Sequence, residues 1–597
     1  MKNKVILYAI IVIIIIAIAI VGITFNKNNE GDKDVNGGNE NYINADYGID
    51  EASLQSKDMK IDVSDFEFAS ETIINLSEMS VNGQDVSISE DANGMQTIEI
   101  NNGGAYRVTG TLENGRIVVN AKSSDVNLIL DNATIKCLYS APIYVFESSD
   151  TMITLEDGTT NTISDGNEYS FDDKYSSSAD EEPNACLYSK SDLIIYGNGT
   201  LNVIANNNNG ITSKDTLYIE NASISVNAKN HGINGKDSNT IKNAKINVTA
   251  GGDGIRATND TDTTLGWIRI EDSEIIIEAG EDGIQAKTDL IINGGEYTLK
   301  TNDDGIHADN TVMIDNGNID IQNSYEGIEG INIVINGGNI NIVALDDGIN
   351  VNGGNDFSGF GNFDKGMMGG SNRDNVKIKN MSQTGSNMKA ENSGDMKKFG
   401  GRNQMEKPEG MDNMEDIKNF ENIPDGENPD EPQNDSNAMT DSEGVLIING
   451  GSILINAAGD GLDSNGSIIM NGGTVIVHGP TNSGNGALDY AKTFEISGGE
   501  LIAVGASGMA QAPSSTSSQT YISANVQTQK ENSEILLKDS NGNEIVKCTS
   551  LKTFSNVVIS SSKLEKGKTY ELYINGTKIT DVTAGQGSSG NQMGKRR

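Results

Sequence analysis

Runs of four or five positions in which apolar and polar residues alternate recur along most of the chain, each joined to a second such run by a small turn. LIINGGEYTL (290–299), VMIDNGNIDI (312–321), IVINGGNINI (333–342), VLIINGGSILI (445–455) and SIIMNGGTVIV (467–477) carry the pattern clearly. LILDNATIKC (128–137), LIIYGNGTLNV (193–203), LYIENASISV (217–226) and WIRIEDSEII (267–276) are looser copies. Alternation at a period of two marks strands with one buried face. The Gly-Gly, Asn-Gly and Asn-Ala pairs between them suit corners that need a positive φ or a small side chain.

Between these paired runs sits a second signal, a polar residue followed by Gly-Ile. It recurs at Asn209-Gly210-Ile211, His231-Gly232-Ile233, Asp253-Gly254-Ile255, Asp282-Gly283-Ile284, Asp304-Gly305-Ile306, Glu326-Gly327-Ile328, Asp347-Gly348-Ile349 and, with Leu, Asp460-Gly461-Leu462. The glycines are spaced by 22, 22, 29, 22, 22, 21 and 113 residues. Short strands returning every 22 residues, with no helix-length segment between them, predict an all-β parallel β-helix. Successive coils of such a solenoid stack about 4.8 Å apart, so equivalent positions form columns, with isoleucines inside. Separate sandwich domains would instead show turn signals about every 8–12 residues and no such register.

The two irregular spacings locate departures from the solenoid. The longer step of 29 holds seven extra residues near 259–265, a loop just before Trp267, the chain's single tryptophan. The step of 113 holds an insertion, 354–440, with nine of the 18 methionines and almost no strand pattern, which reads as disordered. The β-helix is expected over 66–510 and a C-terminal β cap over 511–584, because an open solenoid end invites edge-to-edge pairing. A polar tail, 585–597, follows.

At the other end, residues 5–25 form an uncharged apolar run of 21 residues behind Lys2 and Lys4. That length spans a bilayer's hydrocarbon, and the lysines put the tip in the cytoplasm. Residues 1–25 are therefore read as a signal anchor, with a cleaved signal as the alternative, and 26–65 as a flexible spacer. Either way the body is expected outside the cell.

Composition narrows the partners. Lys+Arg 43 against Asp+Glu 85 leaves a net charge of −42, which excludes a phosphate-gripping nucleic-acid binder. Three histidines and three cysteines without a CxxC indicate neither a zinc ribbon nor a disulfide framework.

The charge is organised by the repeat. The residue before Gly is acidic in six successive copies, from Asp253, Asp282, Asp304 and Glu326 to Asp347 and Asp460. Asp303 and Asp346 precede that column, and Glu329 and Asp463 follow the Ile. Asp before Gly is ordinary turn chemistry, but this leaves the adjoining acids unexplained. Two carboxylates stacked one coil apart repel by roughly 3–4 kcal/mol at an effective dielectric of 20. Protonation or a hard cation such as Ca²⁺, which takes 6–8 oxygens, would relieve that. Solvated turn acids remain the alternative to calcium sites.

DDGIHAD (303–309), SYEGIEG (324–330), INGGNINI (335–342) and DDGIN (346–350) resemble the extracellular carbohydrate-binding β-helix proteins of plant-wall-degrading bacteria, which are similar in fold to family-9 polysaccharide lyases. The resemblance implies a right-handed β-helix, bound calcium, and binding of cellulose- or polygalacturonate-type polysaccharide. Calcium would reconcile an acidic protein with an anionic polymer. Arg256, Trp267, Lys287, Tyr297, His307 and Tyr325 are candidate ligand contacts, the aromatic residues through stacking on sugar faces. A pectate-lyase-like enzyme would add a base such as Arg256 or Lys287, with Lys214 and Lys236 at similar offsets. A purely structural surface solenoid is the third possibility.

Overall fold

Isoleucines one coil apart in sequence become direct neighbours across the strands. In the computed structural model, which describes residues 49–179, 181–351 and 444–586, Ile211, Ile233, Ile255, Ile284, Ile306, Ile328, Ile349, Leu462 and Leu488 pair successively in one parallel ladder. A second ladder runs from Ile219 through Ile241, Ile270, Ile292, Ile314, Ile335 and Ile448 to Met470 and Ile496. A third runs from Val203 through Val226, Val248, Ile277, Leu299, Ile321, Ile342 and Ile455 to Val477 and Ala503. All three point into a single continuous core. The chain is all-β, a solenoid-like sheet of parallel strands with only short helical turns at Glu51–Ser56 and Val63–Phe66 among the described residues.

The corners behave as their composition suggests. Gly294, Gly338, Gly451 and Gly473 take φ between +79° and +91°, and Asn132, Asn221 and Asn243 take φ of 49–60°. Gly and Asn are the residues that adopt this region at least cost. The extra loop before Trp267 is held by Asn259, whose Oδ1 accepts from the N–H groups of Thr261 and Asp262. Residues 332–335 pair directly with 445–448, so the register continues unbroken across the 113-residue step. The insertion 354–440, the anchor 1–25, spacer residues 26–48 and the tail from 587 lie outside the described residues. Among the described residues no helix is long and apolar enough to cross a membrane. All three cysteines are free thiols.

Residues 49–65, expected within the flexible spacer, are packed on the strands. Ile49 and Leu54 pack on an apolar strip formed by Ile291, Met313, Val334, Ile447 and Ile469. Phe66 packs on Met152, Ile194 and Tyr218, with Met59 and Ile61 alongside. Lys57 and Lys242 tie the segment down through Asp289 and Asp58. After the last parallel pairing, Phe554–Ser561 runs antiparallel to both Glu500–Gly505 and Tyr521–Gln529. A separate four-stranded antiparallel sheet spans residues 534–583.

Candidate functional site

The Gly-Ile signal builds one edge of the solenoid. With Ile inward, the residue before Gly and the residue after Ile emerge together, as the 3.0 Å contact between His307 Nδ1 and Asp304 Oδ2 shows. Along the first column four of the side chains accept the backbone N–H of their successors. Asp253 receives Asp282 N–H at 3.3 Å, Asp282 receives Asp304 at 2.9 Å, Asp304 receives Glu326 at 3.3 Å, and Asp347 receives Asp460 at 2.6 Å. Thus one carboxylate oxygen serves the fold, and the second remains for other partners.

The acids of the middle coils are buried, and Asp347, Asp460 and Asp463 are half-buried. Asp304 is 2% exposed, Glu326 4% and Glu329 0%. Four groups bring ligand atoms within 4.8 Å of one another: His231, Asp253 and Glu281; Asp282, Asp303 and Asp304; Asp304, His307 and Glu329; and Asp347, Asp460 and Asp463. Glu329 Oε2 lies 2.7 Å from His307 Nδ1, its ion-pair partner. Glu326 is instead engaged by the Asn350 amide at 2.7 Å. Asp346 belongs to none of the four groups. His231 and Glu281 were not singled out as ligands from the sequence, although both stand in the aligned columns beside Asp253.

Burial first, and like charge from neighbouring carboxylates second, push the acids upward. Asp347 rises to about 8, Asp463 to about 7 and Asp460 to about 6. Glu326 rises to about 10, and Asp304 to about 8 despite its bond from His307. Asp282 is also raised. Burial alone would lower His307, but its bonds to Asp304, Asp309 and Glu329 outweigh that and raise it well above an ordinary imidazole. At Asp253 the balance reverses: burial raises it, but His231 and Arg256 together bring it below the usual carboxylate range. Where such cationic partners are lacking, the edge holds more negative charge than its burial tolerates. Clustered hard oxygens in that state suit a divalent cation of the calcium type.

The candidate ligand contacts divide. Arg256 bridges His231 Nε2 at 2.8 Å and Asp253 at 3.3 Å, and Lys287 reaches Asp309 at 2.8 Å. His307 sits inside the acid cluster, and Tyr325 is 38% exposed on the same edge. Tyr297 offers no face to a ligand. It pairs with Ile275 and Ile319 in an inward register, is 2% exposed, and donates its hydroxyl to the Gly294 carbonyl. Trp267 is likewise buried.

A solenoid-like stack of parallel strands with a run of acids along one edge defines a repeat protein with a long continuous surface. The chain belongs to the carbohydrate-binding domain-containing protein family, whose sequence profile matches residues 94–348 and 300–486, more than half of its length. A carbohydrate-binding domain-containing protein of Acetivibrio thermocellus is 34% identical over 132 residues, which are 22% of this chain and 45% of that relative. The chain thus spans less than half the length of that relative. A solved structure, the gadolinium derivative of a polysaccharide lyase-like protein from C. thermocellum, is 28% identical with a TM-score of 0.35. That match covers 48% of this chain and 97% of the other.

Proposed function

We propose that this protein is a calcium-dependent binder of cell-wall polysaccharide of the cellulose or polygalacturonate type. In this reading the solenoid is a right-handed parallel β-helix closed by a C-terminal β cap and held outside the cell by residues 1–25. The observation that carries it is the group of Asp347, Asp460 and Asp463, whose oxygens lie within 4.8 Å of one another and whose surroundings supply no cationic side chain among the described residues. Crowded, partly buried carboxylates are costly unless a cation completes their surroundings. Asp282, Asp303 and Asp304 would hold one ion, and Asp347, Asp460 and Asp463 another. The ion would supply positive charge between the acidic edge and the carboxylates of a uronate polymer. Binding is favoured over lyase chemistry because Arg256, Lys287 and Lys214, three of the candidate bases, are occupied by ion pairs.

Calcium titrated calorimetrically into the chelator-treated full chain should show saturable binding, and polygalacturonate should bind only when calcium is present. Absence of calcium heat would remove the cation from the reading. Release of unsaturated oligouronides would replace binding with lyase activity.

A further inference from the structure

The connection between Thr160–Asp165 and Ala185–Ser189 opens a cleft of about 450 Å³ at the beginning of the same edge. Tyr169, Phe171 and Pro183 give it an apolar wall, and the amides of Asn184, Asn207 and Asn208 line it. We propose that this cleft binds a neutral sugar unit of the polysaccharide by ring stacking and amide hydrogen bonds, without a cation.

Three features point to that ligand class. The side-chain amides of Asn184, Asn207 and Asn208 line the cleft, and an amide both donates to and accepts from sugar hydroxyls. Glu168 and Glu181 also line the cleft. Their negative charge repels a uronate, while their oxygens accept from hydroxyl groups. Aromatic and proline faces match the apolar C–H face of a pyranose ring.

The cleft is preorganised. The Tyr169 hydroxyl donates to Asp165 Oδ2 at 2.8 Å and lies 3.1 Å from the Ala185 carbonyl. Asp165 Oδ1 in turn accepts the N–H of Asn206 at 2.5 Å. On the other side, Glu182 pairs with Lys190 and Lys214 at 2.8 and 2.9 Å.

Its position also fits a linear polymer. The Asn184 carbonyl accepts Asn209 N–H, and the Asn208 carbonyl accepts Asn230 N–H, so both columns of the acidic edge begin here. Asn208 stands four coils before Asp303, roughly 19 Å along the edge at one coil per 4.8 Å. The subsite stands whether or not the acids further along hold an ion.

The test uses the full chain in chelator with neutral pentasaccharides of glucose, xylose and mannose and, as the anionic arm, pentagalacturonate. At least one neutral sugar should bind, and pentagalacturonate should not. Phe171→Ala and Asn184→Ala should each weaken neutral binding about tenfold. Ser178 is exposed at the cleft, so Ser178→Trp should fill it without touching the core and abolish binding. No neutral binding by the unmodified chain, or undiminished binding by a folded Ser178→Trp variant, overturns the proposal. Loss of the calcium response with neutral binding retained overturns only the cation sites.

Discussion

Gly305 has an ordinary negative φ, yet a Cβ there would come within 2.7 Å of the Gly327 carbonyl and 2.8 Å of Ile321 Cδ1. Gly348 is similarly confined, 2.5 Å from the Gly461 carbonyl and 2.3 Å from Ile455 Cγ2. The glycine of the repeat is therefore selected by close stacking of coils, whereas the corner glycines are selected by their dihedral angles. Gly305→Ala should destabilise the protein by about 1–3 kcal/mol, the usual cost of overpacking, read from its denaturant midpoint. The spacing of these glycines is visible in the sequence. Their reason is not, because it depends on a backbone carbonyl one coil away. Tyr297 teaches the same lesson. Its aromatic ring suggested sugar stacking, but it occupies the slot that Ile319 fills in the next coil, and that slot faces inward.

At the scale of elements, the stretch 166–184 was not distinguished in the sequence, since it interrupts the strand pattern before the Gly-Ile register begins. Tyr175 packs it on Tyr144 and Tyr188, and ion pairs hold the rest. Burial alone would raise Glu182, but hydrogen bonds from Lys190, Lys214 and Tyr188 outweigh it and hold the carboxyl down at about 2. A depressed folded-state value contributes stability that is complete above the unfolded value near 4.5. That contribution is lost as pH falls towards the folded value. Glu182→Gln should thus lower the unfolding temperature at pH 7, by about 2 kcal/mol of stability. The gap from the unmodified chain should narrow between pH 5 and pH 2. A gap independent of pH would show that packing, not charge, holds this wall. The N-terminal segment 49–66 is a comparable case. It lacks period-two alternation, and it is ordered because Leu54 and Phe66 find apolar strips on the finished solenoid.

Across the whole molecule, the acidic edge sets a load that grows with every coil added. Calcium at a hundredfold excess over its dissociation constant adds about 2.7 kcal/mol per site. Chelator-treated protein should therefore gain several degrees of thermal stability on adding calcium. Asp347→Asn keeps an acceptor for the Asp460 N–H while removing a charge, so its cation-free unfolding temperature should match or exceed that of the unmodified chain. Its calcium-dependent gain should be smaller; an undiminished gain would place the ion elsewhere. The sequence by itself determined the strand period, the length of a coil, the inward set of isoleucines and the acidic columns. These follow from alternation and repeat spacing, which are properties of the covalent chain. Only the tertiary structure decided which acids meet, how deeply they are buried, and which cations already neutralise them. Proximity and desolvation are set by stacking: Asn350 and Asp463 lie side by side although 113 residues separate them.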